Sequence, residues 1–175
     1  MAHASKELKK PLEVLRLYGS HDDTLAGAFA TRLQEGADRP FIVCAGKTWT
    51  WRQVADRIDR LARLLAARGI RKGDRVAVMG ANSDKHVLLL LAASRIGAIL
   101  VPVNPDFGSA EAAYVLAHCG ASLVVCDGDV LEVAQEACRV SGLAPWFVAL
   151  DRSVADVLSL DALIEQDHDA ELPGG

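Results

Sequence analysis

The stretch that decides the fold runs from Gly69 to Pro105 and reads GIRKGDRVAVMGANSDKHVLLLLAASRIGAILVPVNP. A turn bounded by glycines leads into the apolar run 76–79, which is followed by a helix-forming stretch and a second apolar run at 98–101. Two short, continuously apolar strands joined by a helix are typical of a parallel strand pair with a crossover helix. Because such strands are buried on both faces, the stretch predicts a sheet with helices on each side.

The helix inside this stretch is apolar nearly all round, with residues 87–93 reading VLLLLAA. Burying one large apolar side chain contributes about 1.5–3 kcal/mol, and a whole domain is stable by only about 5–15 kcal/mol. Leaving half of these side chains in water would therefore be too costly. We expect this helix, with Ser83 as its N-cap, to be covered on more than its sheet-facing side.

The same alternation of helix and strand continues to residue 150. We expect Pro102 to end the second strand, and Ser109 and Asp129 to act as N-caps of the next two helices. Two more apolar strands are predicted at 123–126 and 146–150. The predicted fold class is α/β: a doubly wound, mostly parallel sheet with helices on both faces.

A small N-terminal hairpin is predicted upstream of the sheet. The β-rich runs 41–44 and 47–50 flank Ala45-Gly46, a two-residue turn. Thr50 with Gln53 is the signature of a capping box, which predicts a helix from there to Arg68.

The hairpin turn has one alternative interpretation, because Gly46-Lys47-Thr48 is similar to the end of a phosphate-binding loop. That motif needs another glycine five residues before its second glycine, and this chain has Phe41 there. The missing glycine favours the turn.

The composition excludes several classes of protein. The chain is 51% hydrophobic and 24% charged, with a net charge of −4, which is unlike the basic surface of a nucleic-acid-binding protein. Its longest apolar run is too short to span a membrane. The four cysteines (Cys44, Cys119, Cys126 and Cys138) form no C-x-x-C pair and are interpreted as reduced thiols in a cytoplasmic protein.

The domain organisation is predicted as three segments. Residues 1–20 have no sustained period and are expected to form a loosely attached leader with room for one short helix. Residues 21–152 form the α/β subdomain, in which Asp22 and Asp23 are the predicted N-caps of the first helix. Residues 153–175 contain a helix at 160–166 and a polar, linker-like tail.

A search for chemistry finds no dinucleotide, nucleophile-elbow, EF-hand or H-x-x-x-H motif, so no catalytic residue and no metal site are predicted in this chain. His118 lies beside Cys119, but adjacent helical residues point about 100° apart, which disfavours a shared metal. His86, in the first turn of its helix, is interpreted as a surface residue rather than a base.

Four segments together carry a family resemblance: 48–54 (TWTWRQV), 65–77 (LAARGIRKGDRVA), Asn82-Ser83 and 95–105 (RIGAILVPVNP). In this order they resemble the N-terminal portion of AMP-forming acyl-CoA synthetases, in the adenylate-forming, luciferase-like superfamily. The resemblance covers residues 24–150. Val103-Asn104-Pro105 is more similar to the CoA ligases than to peptide-synthetase adenylation domains, which usually carry Asp at the position of Asn104.

The resemblance implies a two-step reaction in which a carboxylic acid and ATP form an acyl-adenylate, and CoA then displaces AMP. ATP, magnesium and CoA are thus the implied substrates and cofactors of the parent enzyme. The family's phosphate loop and catalytic lysine would lie beyond Gly175. We therefore expect an N-terminal fragment that is inactive alone, contacts the rest of its own N-terminal domain and self-associates if truncated. The alternative is a noncatalytic α/β module that binds a partner or covers a neighbouring domain.

Within the chain, the candidate substrate-binding residues are Asn104, Pro105 and Asp106, at the carboxyl end of a predicted strand. Some relatives carry a basic residue after the Asn-Pro pair that helps to hold CoA phosphates, whereas Asp106 would repel them. The alternative is that Asn104 and Pro105 only shape a turn and present backbone groups.

Overall fold

The computed structural model describes residues 24–166 and 170–172, so Asp22, Asp23 and the leader lie outside the described residues. The helices and strands are, in chain order, α1 (Leu25–Gly36), β1 (Pro40–Cys44), β2 (Lys47–Thr50), α2 (Trp51–Ala67), β3 (Arg75–Met79), α3 (Asp84–Ile96), β4 (Ile99–Val103), α4 (Ser109–Cys119), β5 (Leu123–Cys126), α5 (Leu131–Ser141), β6 (Trp146–Ala149) and α6 (Leu160–Ile164).

Four parallel strands form the main sheet in the order β4-β3-β5-β6, which confirms the predicted α/β class. In the centre of the sheet, Val76 of β3 is in register with Leu100 of β4 on one side and with Leu123 of β5 on the other. Successive side chains of a strand point to opposite faces. The strands of the sheet therefore contribute side chains to two separate hydrophobic cores.

The first core lies between one face of the sheet and helices α2, α3 and α6, and the second lies between the other face and helices α4 and α5. β3 contributes Val76 and Val78 to the first core and Ala77 and Met79 to the second. Helices on both faces make the sheet doubly wound, as predicted.

Helix α3 is covered within the chain itself. Leu88, Leu89 and Leu91 are buried, and α1 and α2 pack beside α3. Only Leu90 is substantially exposed among its leucines, at 42%. The predicted cover on more than one side is confirmed. None of the helices in the described part of the chain is long and apolar enough to cross a membrane.

The predicted hairpin is confirmed as the antiparallel pair β1–β2. Ala45 and Gly46 both have positive φ, 48° and 76°, as a two-residue hairpin turn requires. The hairpin is attached to the helices by aromatic contacts: the rings of Phe41 and Trp51 stack with centroids 3.9 Å apart, and Phe29 of α1 lies 5.1 Å from Trp51.

Helix α2 begins with the predicted capping box. The Gln53 backbone N–H donates to Thr50 Oγ1 at 3.3 Å, and the Thr50 N–H donates to Gln53 Oε1 at 2.9 Å. Helix α1 is capped by Thr24, and not by Asp22 or Asp23 as predicted. The Thr24 hydroxyl oxygen accepts from the Gly27 N–H at 2.9 Å.

Two other predicted caps are wrong. Helix α4 starts at Ser109, and its N-cap is Gly108, whose N–H donates to Glu111 Oε2 at 3.0 Å. Asp129 lies inside a short 3₁₀ turn that precedes α5, and its carboxylate pairs with Arg152 at 2.6 Å. The charged guanidinium holds the carboxylate that the sequence pattern assigned to the helix N-terminus.

Pro102 does not end its strand, because β4 continues to Val103. The Ile99 N–H donates to Asp74 O at 2.8 Å, so the N–H groups of 99, 101 and 103 face β3, by alternation. Position 102 therefore faces the free edge of the sheet. A proline is tolerated there because its missing N–H removes no hydrogen bond from the ladder.

Helix α6 belongs to the first core. Leu160, Leu163 and Ile164 are at most 2% exposed, and Ser159 caps the helix by accepting from the Ala162 N–H at 3.2 Å. The helix ends at Ile164, two residues before the predicted end. The packing makes this segment part of the folded body.

The four cysteines are free, and they differ in burial. Cys126 and Cys138 are buried, whereas Cys44 and Cys119 are partly exposed. Burial, together with the nearby negative charge of Asp127, raises the pKa of the Cys126 thiol to about 12. Burial also raises the pKa of Cys138. Since the thiolate is the reactive form, both thiols should be inert in the folded protein.

Alkylation with iodoacetamide at pH 8, followed by mass spectrometry, tests this difference. We expect Cys44 to be modified in the folded protein, and Cys126 and Cys138 to react only after denaturant is added, because they are both buried and protonated. Labelling of Cys126 at the rate of Cys44 without denaturant would contradict the structure.

Gly80, directly after β3, permits a close approach of neighbouring strand ends. A Cβ atom at this position would lie 2.8 Å from Asp127 Cγ and 2.9 Å from Leu150 Cδ2. Both neighbours are held in place, since Asp127 is hydrogen-bonded to Ala81 and Leu150 is 1% exposed.

We expect Gly80→Ala to lower the free energy of unfolding by about 1–3 kcal/mol, because the added methyl group overpacks a fixed environment. Urea denaturation measures this change. Gly36→Ala is the matched control, since its added Cβ would meet only the flexible Arg39 side chain, at 2.8 Å, and should cause no loss of stability. Equal losses in the two variants would be evidence against the close approach.

Candidate functional site

The strand order creates a switch point between β3 and β5. The chain leaves β3 through α3 on the first-core face, and it leaves β5 through α5 on the second-core face. The two connections diverge and leave a crevice at the carboxyl ends of the strands. In open α/β sheets this is the position where ligands bind.

A cleft of about 230 Å³ opens at this switch point. We call it the switch-point cleft, and it is lined by Ala81, Asn82, Ser83, Lys85, Asp127, Asp129, Leu150 and Asp151. Its residues come from the loops that follow β3, β5 and β6 and from the first turn of α3. Three aspartates and one lysine make its lining polar and mostly acidic.

The aspartates bind the loops to one another. Asp127 Oδ2 accepts from the Ala81 N–H at 2.7 Å and so joins the loops after β3 and β5. Asp151 Oδ1 accepts from the Gly128 N–H at 2.9 Å and joins the loops after β5 and β6. Arg152 pairs with both Asp129 and Asp151. Each of the three carboxylates therefore already has a partner within the chain.

These contacts set the ionisation of Asp151. Partial burial acts to raise the pKa of this carboxyl, but the hydrogen bonds from the Gly128 and Arg152 backbones and the charge of Arg152 outweigh it, and the pKa is lowered. Asp151 is therefore ionised at neutral pH.

Ser83 and His86 lie at the N-terminal end of α3, beside the cleft. Ser83 is the N-cap residue, as predicted, but its hydroxyl makes no cap hydrogen bond and lies 3.3 Å from His86 Nδ1. His86 is partly buried, so its ring is only partly at the surface. Burial lowers the pKa of His86 although the charge of Asp127 acts against this, so the ring is neutral at neutral pH.

A polar network holds the first turn of α3 in place. Trp49 Nε1 of the hairpin donates to Asp84 Oδ2 at 3.1 Å. Lys85 Nζ lies 3.1 Å from Asp161 Oδ2 of α6, and Arg57 of α2 pairs with the same carboxylate. Three elements outside the sheet thus fix one wall of the switch-point cleft.

The predicted site residues lie at the carboxyl end of β4 and do not line this cleft. Asn104 Oδ1 accepts from the Asp106 N–H at 3.0 Å, and Asn104 O accepts from the Phe107 N–H at 3.2 Å. Asn104 thus shapes a turn, as the alternative interpretation held. Substrate contact by Asn104, Pro105 or Asp106 stays a prediction.

Sequence analysis missed the aspartates of the cleft. Asp127 directly follows Cys126, the last residue of β5, and Asp151 follows the apolar run 146–150 that contains β6. A polar residue directly after an apolar run was the signal available in the sequence. Within the described residues no group of three His, Cys, Asp or Glu side chains is placed to hold a metal ion. His118 instead stacks on Tyr114, with ring centroids 5.9 Å apart.

Comparison with known proteins places the chain in a family. The family model for AMP-binding enzymes matches residues 29–171. The acyl-CoA ligase sidI of Aspergillus fumigatus is 40% identical over 79 residues, which are 45% of this chain and 13% of the relative. The fatty acid–[acyl-carrier-protein] ligase ScoC of Streptomyces coeruleorubidus is 29% identical over 69% of this chain and 23% of the relative.

The fold is shared with solved structures of ligases. An inferred long-chain-fatty-acid CoA ligase of Rhodopseudomonas palustris superposes with a TM-score of 0.78 and 28% identity, over 89% of this chain and 39% of that protein. The N-terminal domain of FACL13 from Mycobacterium tuberculosis gives a TM-score of 0.74 over 87% of this chain and 38% of that one. The chain thus spans about two fifths or less of these proteins. The family match, which covers most of the chain, shows that it belongs to the AMP-binding enzymes, the adenylate-forming family that the sequence resembles.

Proposed function

We propose that this chain is the N-terminal part of an ATP-dependent carboxylate–CoA ligase. The enzyme would join a carboxylic acid to ATP, giving an acyl-adenylate and pyrophosphate, and the CoA thiol would then displace AMP to give an acyl-CoA thioester. The observation that carries this proposal is the family match over residues 29–171. The superposition on the Rhodopseudomonas palustris ligase supports it, because that protein is 28% identical over most of this chain.

The carboxylates of the switch-point cleft do not fit magnesium. Magnesium takes oxygen ligands in a near-ideal octahedral arrangement, but the carboxylates of Asp127, Asp129 and Asp151 are held by the Ala81 N–H, by Arg152 and by the Gly128 N–H. We derive no catalytic step through them. In this proposal ATP, magnesium and CoA are held by other segments of the enzyme, and this chain supplies a scaffold and the cleft at its edge.

The proposal keeps Asn104, Pro105 and Asp106 as candidate substrate contacts. Their support is the position of these residues at the carboxyl edge of the sheet, where α/β proteins bind ligands. Asp106 is exposed and negatively charged, so it would disfavour a CoA phosphate at that point. Asn104 and Pro105 would then act through turn geometry and backbone groups.

The noncatalytic module is the second candidate. It was suggested by the outer side of the apolar helix α3, but α1 and α2 of this chain pack there. No observation favours it over the ligase.

A cytoplasmic location is proposed for either candidate, because all four cysteines are free.

Expression of the 175 residues alone and of the complete reading frame that contains them tests the proposal. We expect the complete product to catalyse carboxylate-dependent ATP–pyrophosphate exchange, and the 175-residue chain to show none, since in this proposal the segments that hold ATP and magnesium lie elsewhere in the enzyme. Trapping of the acyl-adenylate with hydroxylamine is a second readout. Robust exchange by the 175-residue chain would overturn the proposal that ATP and magnesium are held by other segments of the enzyme. A stop codon directly after Gly175, with no exchange, would favour the module.

The free edge of β4 supports a contact with the rest of the N-terminal domain. Ile99 is 51% exposed, Leu100 and Val101 are partly exposed, and the Leu100 N–H faces outward by the alternation described above. Exposed apolar edge strands are sites of strand pairing and association.

We therefore expect the isolated chain to self-associate, and Ile99→Lys to reduce that association because it charges the edge. Light scattering over a concentration series measures this effect. Val43→Lys, at a hairpin residue that is 73% exposed, is the matched control and should change nothing. A monodisperse monomer for the unaltered chain would contradict this expectation.

A further inference from the structure

Lys85 is the one cationic residue in the lining of the switch-point cleft, but its charge is held outside that cleft. The ammonium pairs with none of the cleft carboxylates of Asp127, Asp129 and Asp151. Instead, Lys85 Nζ lies 3.1 Å from Asp161 Oδ2 of α6, and Asp161 does not line the cleft. A carboxylate outside the cleft thus holds the lysine that could neutralise part of its charge.

Asp161 is shared by two cations, which are not equally fixed. The Arg57 guanidinium of α2 binds Oδ1, and the Lys85 ammonium approaches Oδ2. Arg57 has two further contacts, because it lies 3.5 Å from Glu165 Oε1 and 5.0 Å from the centroid of the Trp49 ring. Lys85 has no second carboxylate partner in the described part of the chain, and its charge stands at the end of a flexible four-carbon stem. Lys85 is therefore the cation that can leave Asp161.

The burial of Lys85 makes the cleft the alternative place for its ammonium. The side chain is only 17% exposed, and a charge that is largely removed from water needs a counter-charge. Because Lys85 lines the cleft, rotation of its stem is enough to turn the ammonium toward the cleft carboxylates. The only cation bound to Asp127, Asp129 or Asp151 in the described residues is Arg152, so these carboxylates attract a further positive charge.

The position of Asp161 depends on the packing of α6. This helix has only five residues, and so short a helix is stabilised mainly by its packing rather than by its own hydrogen bonds. Leu160, Leu163 and Ile164 supply that packing in the first core. Asp161 therefore stays beside Lys85 as long as these three side chains remain buried.

We propose that α6 controls the charge of the switch-point cleft through Asp161. While α6 is packed on the first core, Asp161 holds the Lys85 ammonium outside, and the cleft stays open, acidic and closed to carboxylate and phosphate ligands. When α6 leaves this position, Lys85 turns into the cleft and pairs with its aspartates. The cleft then loses one negative charge and part of its volume. This device depends only on the geometry of α3 and α6 and not on the proposed ligase activity.

Zero-length cross-linking with a water-soluble carbodiimide, read by peptide mass spectrometry, tests the proposal near neutral pH. The reagent joins a lysine amine to a carboxylate that is in contact with it. In the unaltered chain we expect Lys85 to be joined to Asp161. In Asp161→Asn, one amide oxygen remains for two cations, so we expect cross-links from Lys85 to Asp127, Asp129 or Asp151 to increase about tenfold.

The matched control is Glu165→Gln, which removes the other α6 carboxylate at Arg57 and leaves the partner of Lys85 in place. Its cross-links from Lys85 should be those of the unaltered chain. The proposal is overturned if Asp161→Asn gives no increase, since Lys85 would then have turned to solvent. It is also overturned if the unaltered chain joins Lys85 to the cleft aspartates as often as to Asp161.

A second experiment loosens α6 without altering a charge. Leu163→Ala removes part of the packing of α6, so we expect it to increase the same cleft cross-links, in the direction that Asp161→Asn does. Leu116→Ala is the control, because Leu116 is equally buried but belongs to α4 and the second core. Both variants are compared at a temperature at which circular dichroism shows them folded. No increase in Leu163→Ala, or an equal increase in Leu116→Ala, would remove α6 from the control of the cleft.

Discussion

The central strands β3 and β5 are buried on both faces, and the rest of the structure depends on this constraint. Their residues 76–79 and 123–126 are at most 1% exposed. Polar side chains without partners are costly there, so the polar groups stand just past the strand ends, as Asp127 and Asp151 do. Two-sided burial also requires helices above and below the sheet. In the order β4-β3-β5-β6, the crossovers from β3 and β5 lie on opposite faces and diverge. The cleft is a geometric result of how the core is built.

Much of the fold could be predicted because two-sided burial leaves a signal in the chain. The runs 76–79 and 123–126 are continuously apolar, and the Thr50–Gln53 capping box is a local pattern. Strand order has no such signal. Pro102 was expected to end β4 because nothing in the sequence showed that β4 lies at the edge, where a proline loses no hydrogen bond.

The candidate site was harder to predict for the same reason. Asp127 and Asp151 follow their strands in the way that Asn104 follows β4, and residues at such positions are usually turn formers. Only the order β3-β5-β6 brings the two aspartates to one cleft. The prediction at Ser109 failed because Ser109 is already the first residue of the helix, which makes Gly108 the N-cap. The prediction at Asp129 failed because its carboxylate pairs with the distant Arg152.

The strand order also has a consequence for how the chain folds. Val76 pairs with Leu100, 24 residues later, and Leu123 pairs with Trp146, 23 residues later, whereas Val76 and Leu123 are 47 residues apart. Doubling the length of a closed loop adds about 0.6 kcal/mol of entropic cost. The two outer pairs can therefore form as local units before the central pair joins them. On loop-closure entropy we expect the seam between β3 and β5, where the cleft opens, to be the last part of the sheet to assemble.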